Sequence, residues 1–258
     1  MICRCGRFQV VINNDMKKIS LITVYNNKMM LEEMLSSAQE QRNVDIDYVM
    51  IDNTNRLFSD AASALNYGTS KSKGEVLVYL HQDIEFLSLN ALETIYDYAL
   101  KNKNVVFGAA GVKRRNKMSD DSQILTSIYA GEDKAKNNTL SEPAACFTLD
   151  ECLIACHRDC MKELAFDDTV CDGWHLYGAD LCLQAGLKPD LKVMVIPMDY
   201  VWHKSNGNAD KSYRDTQDKL AKKYKGKYKI INTTNGFQYT GAFKRTLMNI
   251  YRKIRYRF

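Results

Sequence analysis

The chain has 258 residues, 45% hydrophobic and 26% charged, an ordinary globular composition with enough length to bury a substantial core, and it shows no low-complexity tract. Its net charge of +5 is local: Lys244, Arg245, Arg252, Lys253, Arg255 and Arg257 fall in residues 243–258 with no acid among them, and removing these six from 36 Lys+Arg leaves 30 against 31 Asp+Glu. The body is therefore near neutral and lacks the pervasive basic footprint of a nucleic-acid-binding domain.

In chain order, Ile19 to Val24 reads as a buried strand, followed by a polar turn at Tyr25-Asn26-Asn27. A helix is expected from about Lys28 to Gln41, with Met30, Leu31, Met34 and Leu35 at helical spacing. Ile46 to Ile51 is a second strand ending in Asp52-Asn53, Leu57 to Tyr67 a helix, and Val76 to Leu80 a third strand ending in His81-Gln82-Asp83. Ser88 is the expected N-cap of a helix through Leu100, and Val105 to Ala110 the fourth strand. This alternation predicts an α/β fold with a mostly parallel, doubly wound sheet. From Lys113 to Pro143 the periodicity fails, with Gly131, Asn137 and Asn138 as breakers, and a long loop serving a site is expected. An apolar segment from Cys146 to Cys156, a helix from about Trp174 to Ala185, a strand at Val193 to Ile196, the pair Trp202-His203 and a charged helix from about Ala209 to Tyr224 complete the body. No linker divides it, so one large domain is expected.

Eight cysteines in a chain this long do not make a secreted disulfide framework, which suits a reducing cytosol. Cys152, Cys156 and Cys160 lack the short paired spacing of a zinc site and are expected to pack as small hydrophobes. No stretch reaches the roughly 18 apolar residues of a membrane span, and no signal-peptide core is present.

Three strand ends offer polar groups to one crevice, where open α/β sheets bind ligands: Tyr25-Asn26, Asp52-Asn53 and His81-Gln82-Asp83. They are either turn-forming residues or a nucleotide site in which an amide or carboxylate holds base or ribose and Asp83 holds a divalent cation. Neither G-x-G-x-x-G nor a P-loop occurs, so a cation must do more of the phosphate work. Asp180 shares a helix face with Leu176, Leu183 and Leu187; it is either a general base or bonded to a helix end or an arginine. His203 is either structural beside Trp202 or a metal ligand, and Lys204, Asn206 and Gly207 beyond it make a loop able to approach phosphate.

The chain resembles the GT-A glycosyltransferases of the inverting family 2 group, specifically the bacterial glycosyltransferase-like branch, over about residues 18 to 215. The resemblance rests on Ile19-Ser20-Leu21-Ile22-Thr23-Val24-Tyr25-Asn26, Ile51-Asp52-Asn53, Ala64-Leu65-Asn66-Tyr67-Gly68, Lys73-Gly74-Glu75, Leu80-His81-Gln82-Asp83, the run Trp174 to Leu183, and Val201-Trp202-His203. It implies a Rossmann-like GT-A domain over residues 18–225, preceded by an N-terminal extension of residues 1–17 and followed by a basic amphipathic tail of residues 226–258. It implies that Thr23, Tyr25, Asp52, Asn66, Gln82 and Lys204 hold a nucleotide-sugar donor. Asp83 matches the last Asp of the family's D-x-D motif, His203 a late metal or diphosphate ligand, and Asp180 the catalytic base. His81 departs from the pattern, standing where D-x-D has its first Asp, and either ligates the metal or leaves the cation to Asp83 and the diphosphate. Asp150, Glu151, Trp174 and His175 are the expected acceptor contacts, with a solvated turn the other reading of Asp150-Glu151.

The implied activity is Mg²⁺- or Mn²⁺-assisted, inverting transfer of a sugar from a nucleotide-diphosphate sugar to a saccharide or lipid-linked acceptor, in bacterial cell-surface polysaccharide or glycolipid synthesis. In the tail, Phe243, Leu247, Ile250, Tyr251, Ile254 and Phe258 fall on one helical face. Such a helix either lies on an anionic membrane or packs on the domain or a partner. The expected location is cytoplasmic, with the tail suited to the inner face of the cell membrane. Two rival readings are a sugar-phosphate nucleotidyltransferase, which normally opens with a glycine-rich phosphate loop, and a non-catalytic membrane-associated GT-A-like binding protein, which the His81 departure favours.

Overall fold

A computed structural model describes residues 17–117, 119–120, 123–136, 140–205 and 209–256. Residues 1–16 of the expected N-terminal extension, Asn137, Asn138, Asn206, Gly207, Arg257 and Phe258 lie outside the described residues. In chain order the elements are β1 (Lys17–Tyr25), α1 (Lys28–Gln39), β2 (Val44–Asp52), α2 (Ala61–Lys71), β3 (Val76–Leu80), β4 (Ile84–Phe86), α3 (Ala91–Lys101), β5 (Val105–Gly108), β6 (Ala110–Val112), β7 (Ile124–Thr126), β8 (Tyr129–Ala130) and β9 (Ala135–Lys136). There follow β10 (Ala144–Ala145), β11 (Thr148–Leu149), β12 (Leu153–His157), a 3₁₀ turn (Arg158–Lys162), α4 (Tyr177–Ala185), β13 (Lys192–Val195), β14 (Val201–His203), α5 (Lys211–Lys223), β15 (Ile230–Thr233), β16 (Gly236–Tyr239) and α6 (Ala242–Tyr256).

Seven strands form the central sheet in the order β10-β13-β5-β12-β3-β1-β2. The strands β1, β2, β3, β5 and β13 run one way, while β12 is antiparallel to β3 and β5, and β10 to β13. The sheet is thus mostly parallel, as the alternation predicts. Both faces are covered because side chains alternate across a strand: Val76, Val78 and Leu80 of β3 join the core under α1 and α3, whereas Leu77 and Tyr79 join the core under α2, α4 and α5. Each fully buried Val or Leu there contributes about 1.5–3 kcal/mol of transfer free energy.

Several boundaries differ from the sequence reading for identifiable reasons. The helix expected from Leu57 begins at Ala61, because the Asp60 carboxylate caps it by accepting the Ser63 amide at 2.7 Å and leaves Leu57 exposed. Asn90, not Ser88, precedes α3; the Ser88 carbonyl accepts from the Gln41 side chain, whose other end accepts the Leu92 amide. The helix expected from Trp174 begins at Tyr177, since Leu176 takes a left-handed backbone with φ 66°. Within the expected loop from Lys113 to Pro143, β7 pairs with β6, and β8 pairs with both β9 and β14. Short extended pieces with no two-residue alternation left no periodic signal there.

The segment after α5 holds an unexpected hairpin, β15–β16, turning at Thr234-Asn235, with Gly236 opening β16 at φ 133°. Asn235-Gly236, at the exit of this turn, is a general turn signal that the sequence carries. Asn232 ties this hairpin to the body: its side chain donates to the Lys113 carbonyl at 2.7 Å and accepts the Arg115 amide at 2.9 Å, and its carbonyl accepts from Thr148. Among the described residues, no helix is long and apolar enough to cross a membrane.

Candidate active site

The ends of β1, β2 and β3 meet at one edge of the sheet because the three strands are parallel and in register. The Gln82 side chain locks two of them: its carbonyl accepts the Asn26 and Asn27 amides at 3.0 and 2.9 Å, and its amide donates to Asn26 Oδ1 at 2.9 Å. Asn53 closes the loop after β2 by two bonds with the Phe58 backbone. Asp52 accepts the Thr54 hydroxyl and amide, which together hold its carboxyl below the usual range. Tyr25, Asn26, Asn53, Gln82 and Asp83 line a cavity of about 290 Å³, with Trp174 and Tyr177 opposite. Thr23 is buried behind it on β1, and its hydroxyl has no partner among the described residues.

Asp83 sits at the inner end of this cavity in a cluster with both histidines expected to accompany it. The Asp83 Oδ1 lies 3.4 Å from His203 Nε2 and 4.0 Å from His81 Nδ1, and one donor atom from each of the three residues falls within 4.8 Å of the others. Asp83 Oδ2 accepts the Ser205 amide at 3.2 Å, and the Asp83 carbonyl accepts the Lys204 amide, so the β14 end is bonded directly to the β3 end. Burial pushes the Asp83 carboxyl up, but His203 and the Ser205 bond outweigh it and hold it well below the usual range. His81, pushed down by burial and the neighbouring His203, keeps its Nε2 on the Tyr177 hydroxyl at 3.1 Å. Two imidazoles and an ionised carboxylate fit a divalent cation: donors bonded to one ion at about 2.1 Å stand roughly 3–3.5 Å apart.

A second cavity of about 480 Å³ shares His81, Trp174 and Ser205 with the first and is lined further by His203, Asp150, Glu151, His175 and Tyr213. The reversal of β12 brings its carboxylates there. Because β12 runs antiparallel to β3, Leu153 pairs with Leu80 and the His81 amide donates to the Cys152 carbonyl, which sets Asp150-Glu151 beside the His81–Asp83–His203 cluster. Asp150 accepts the Thr234 hydroxyl at 2.8 Å and the Cys152 amide at 3.1 Å. Glu151 faces the N-terminal turn of α4, where Leu176 offers no side-chain cap, and a Cβ on Gly178 would meet Glu151 Cγ at 3.0 Å. Burial and the Asp150 charge push its carboxyl up to about 8 despite backbone bonds from Gly178, Leu176 and Ala179. The residues Thr126, Ile128 and Ala130, from the segment expected to be an unstructured loop, complete the wall.

Asp180 is not brought into either cavity lining. Its side chain is fully buried and engaged on all sides: Lys223 Nζ lies 2.7 Å from Oδ1 and 2.9 Å from Oδ2, the Tyr224 hydroxyl donates to Oδ1 at 2.8 Å, and Gln184 donates to Oδ2 at 2.7 Å. In this structure the residue ties α4 to α5, the structural alternative with a lysine in place of the arginine. Asn66 likewise staples α2 to the Phe166 backbone through both its donor and its acceptor. The Lys204 ammonium pairs with Glu33 and Glu85 at 2.7 and 3.2 Å, away from the lining. Cys146, Cys152, Cys156, Cys160, Cys171 and Cys182 are free thiols.

Helices on both faces of a mostly parallel sheet, with a nitrogen–oxygen cluster at the strand ends, make an architecture that matches solved GT-A glycosyltransferase folds. Residues 20–228 match the glycosyltransferase-like family, and the chain belongs to it. Similar solved folds include GalNAc-T7, crystallised with UDP, GalNAc and Mn²⁺ (TM-score 0.59, 14% identity, 82% of this chain and 48% of that one), and residues 1–349 of S. aureus TarS. The latter has TM-score 0.53 and 13% identity over 79% of this chain and 64% of that one, and was also crystallised with UDP. A Fuscovulum blasticum protein described as ATP synthase subunits region ORF 6 is 27% identical over 164 residues, 60% of this chain and 61% of that protein. The chain thus spans between about half and two thirds of these relatives' lengths.

Proposed function

We propose that this glycosyltransferase moves a sugar from a nucleotide-diphosphate sugar to an acceptor hydroxyl by a single displacement with inversion. One observation carries the reading: the His81–Asp83–His203 cluster stands between a cavity built from strand ends and a cavity carrying the Asp150 and Glu151 carboxylates. The first suits the nucleotide, with Tyr25, Asn53 and Gln82 at hand and Thr23 and Asp52 behind them, and the second suits the acceptor against Trp174 and His175. The UDP and Mn²⁺ bound to GalNAc-T7 support a nucleotide donor and a divalent ion. Two imidazoles favour Mn²⁺ over Mg²⁺, which prefers an all-oxygen set. When bound, such an ion stabilises the negative charge of the departing diphosphate.

The acceptor oxygen attacks the anomeric carbon, the carbon–phosphate-oxygen bond breaks, and its electron pair leaves with the nucleoside diphosphate. The acceptor proton passes to Glu151, one of the two carboxylates that line the acceptor cavity and the one whose raised pKa suits a general base. A competing proposal keeps Asp180 as the base, because it occupies the family position in the first turn of α4; it requires the Lys223 and Tyr224 bonds to open. The exposed apolar face of α6 suits a membrane-surface attachment and synthesis of a cell-surface polysaccharide or glycolipid. Incubation with a panel of nucleotide sugars and Mn²⁺ tests the whole reading: release of nucleoside diphosphate is expected. Pyrophosphate release would favour nucleotidyl transfer, and binding without turnover the non-catalytic reading that His81 suggests.

A further inference from the structure

The C-terminal helix α6 is oriented opposite to an ordinary surface helix. Arg245, Met248, Asn249 and Arg252, at i, i+3, i+4 and i+7, face the body: Arg245 and Asn249 bond Asp218, and Arg252 bonds Gln217 and the Phe237 carbonyl. Phe243, Leu247, Ile250, Tyr251 and Ile254 face outward at 49–76% exposure. A stripe this apolar and continuous normally faces a core, so on the outside it marks a surface for an apolar partner.

A groove of about 800 Å³ runs between α5, the β15–β16 hairpin and α6. Its mouth is formed by Leu247 and Tyr251 of the same exposed stripe, and Phe237 and Met248 line it further. Tyr213 and Asn235 line both this groove and the acceptor cavity beside His203 and Glu151. Arg214 and Lys244 add positive charge to the walls, and α6 carries five basic residues and no acidic one.

We infer that this groove holds the hydrocarbon chain of a lipid-linked acceptor and delivers its head group past Tyr213 and Asn235 to the cleft. The inference deepens, and rests on, the glycosyl-transfer reading. A hydrocarbon chain with a phosphate head matches the three observations together: apolar lining beside an apolar face, basic walls, and Tyr213 and Asn235 as a wall shared with the proposed acceptor cavity. A partner helix would account for the stripe but not for the wall that the groove shares with the acceptor cavity.

The test uses the full chain, pyrene-labelled alkyl phosphates of increasing length, and phosphatidylcholine vesicles with and without phosphatidylglycerol. Affinity is expected to rise about fourfold per methylene while the chain still fits. Met248→Trp, which fills the groove, is expected to weaken alkyl phosphate binding by about tenfold or more, and Tyr251→Ala, at an exposed position that leaves folding intact, to weaken it less. Phe243→Ser with Ile254→Ser should reduce vesicle sedimentation and leave alkyl phosphate affinity within about twofold, since neither residue lines the groove. Chain-length independence, or wild-type affinity in both Met248→Trp and Tyr251→Ala, would overturn the inference; if Met248→Trp does not fold, Tyr251→Ala decides. Calorimetry with Mn²⁺ and a panel of nucleoside diphosphates on the same samples separates the two levels. A wild-type chain that binds alkyl phosphates but no diphosphate would overturn the transfer reading while upholding the hydrocarbon site.

Discussion

Asp83 and Asp180 are both buried carboxylates, yet their surroundings differ in kind. Asp83 has two histidines at 3.4 and 4.0 Å and one backbone amide, and it opens on a cavity. Asp180 has a lysine, a tyrosine and a glutamine on its two oxygens, is fully buried and lines neither cavity. Burial therefore marks neither as functional. What separates them is whether the remaining coordination capacity is left facing a space that a ligand can enter, and by that criterion Glu151, which lines the second cavity, is the carboxylate we propose as the base.

The sharpest way to break this contrast is Asp83→Ala, which should abolish Mn²⁺ binding by calorimetry and lower turnover by roughly a thousandfold, the several kcal/mol expected of a catalytic cation. Unchanged Mn²⁺ titration would remove Asp83 from the site. Glu151→Gln should keep donor affinity and cut turnover by about a hundredfold or more. The carboxyl titrates near 8 in the folded chain, so wild-type turnover should climb with pH through about 8 as the base ionises, and the variant should lose that limb. The same shift has a stability sign. A carboxyl raised in the folded state holds its proton there after the unfolded chain has released it, so its contribution falls as pH rises from about 4.3 to 8; Glu151→Gln should flatten that part of a melting-point-versus-pH curve.

Smaller effects on turnover sharpen the contrast further. His81→Asn should weaken Mn²⁺ by about tenfold and narrow the preference over Mg²⁺, because it replaces a nitrogen ligand with an oxygen. Asp180→Asn should leave turnover within about fivefold while costing roughly 2–3 kcal/mol of stability, since Lys223 keeps Asp167 at 2.8 Å but loses its buried partner. On a domain of this size that is a melting shift of roughly 4–12 °C. A hundredfold loss of turnover with an unchanged melting point would instead restore Asp180 as the base.

Much of this is legible in the amino-acid sequence. The strands at Val76, Val105 and Val193 announce themselves as continuous apolar runs because both faces of the sheet are covered there, those at Ile19 and Ile46 as apolar runs broken by Ser20, Thr23 and Asp47, and His81, Asp83 and His203 stand out as polar residues at strand ends. Pairing partners across distance were less legible. Asp180 amid leucines reads the same whether its charge meets a substrate hydroxyl or Lys223, forty-three residues on, and Asn66 reads the same whether it meets a nucleotide or the Phe166 backbone. Glu151 could be named but not ranked, because its importance depends on β12 running against its neighbours, a direction no local pattern encodes.

The wide spacing in sequence of His81, Asp83 and His203, the side chains proposed to hold the metal, has its own consequence. The three donors come from positions 81, 83 and 203, so an ion seated among them would join the third strand's end to a strand formed about 120 residues later, acting as a removable cross-link. At a hundred times its dissociation constant, such a tether raises unfolding free energy by about 2.7 kcal/mol. Heat resistance would then report occupancy directly, and stripping the ion with a chelator would loosen the whole molecule as well as silence it.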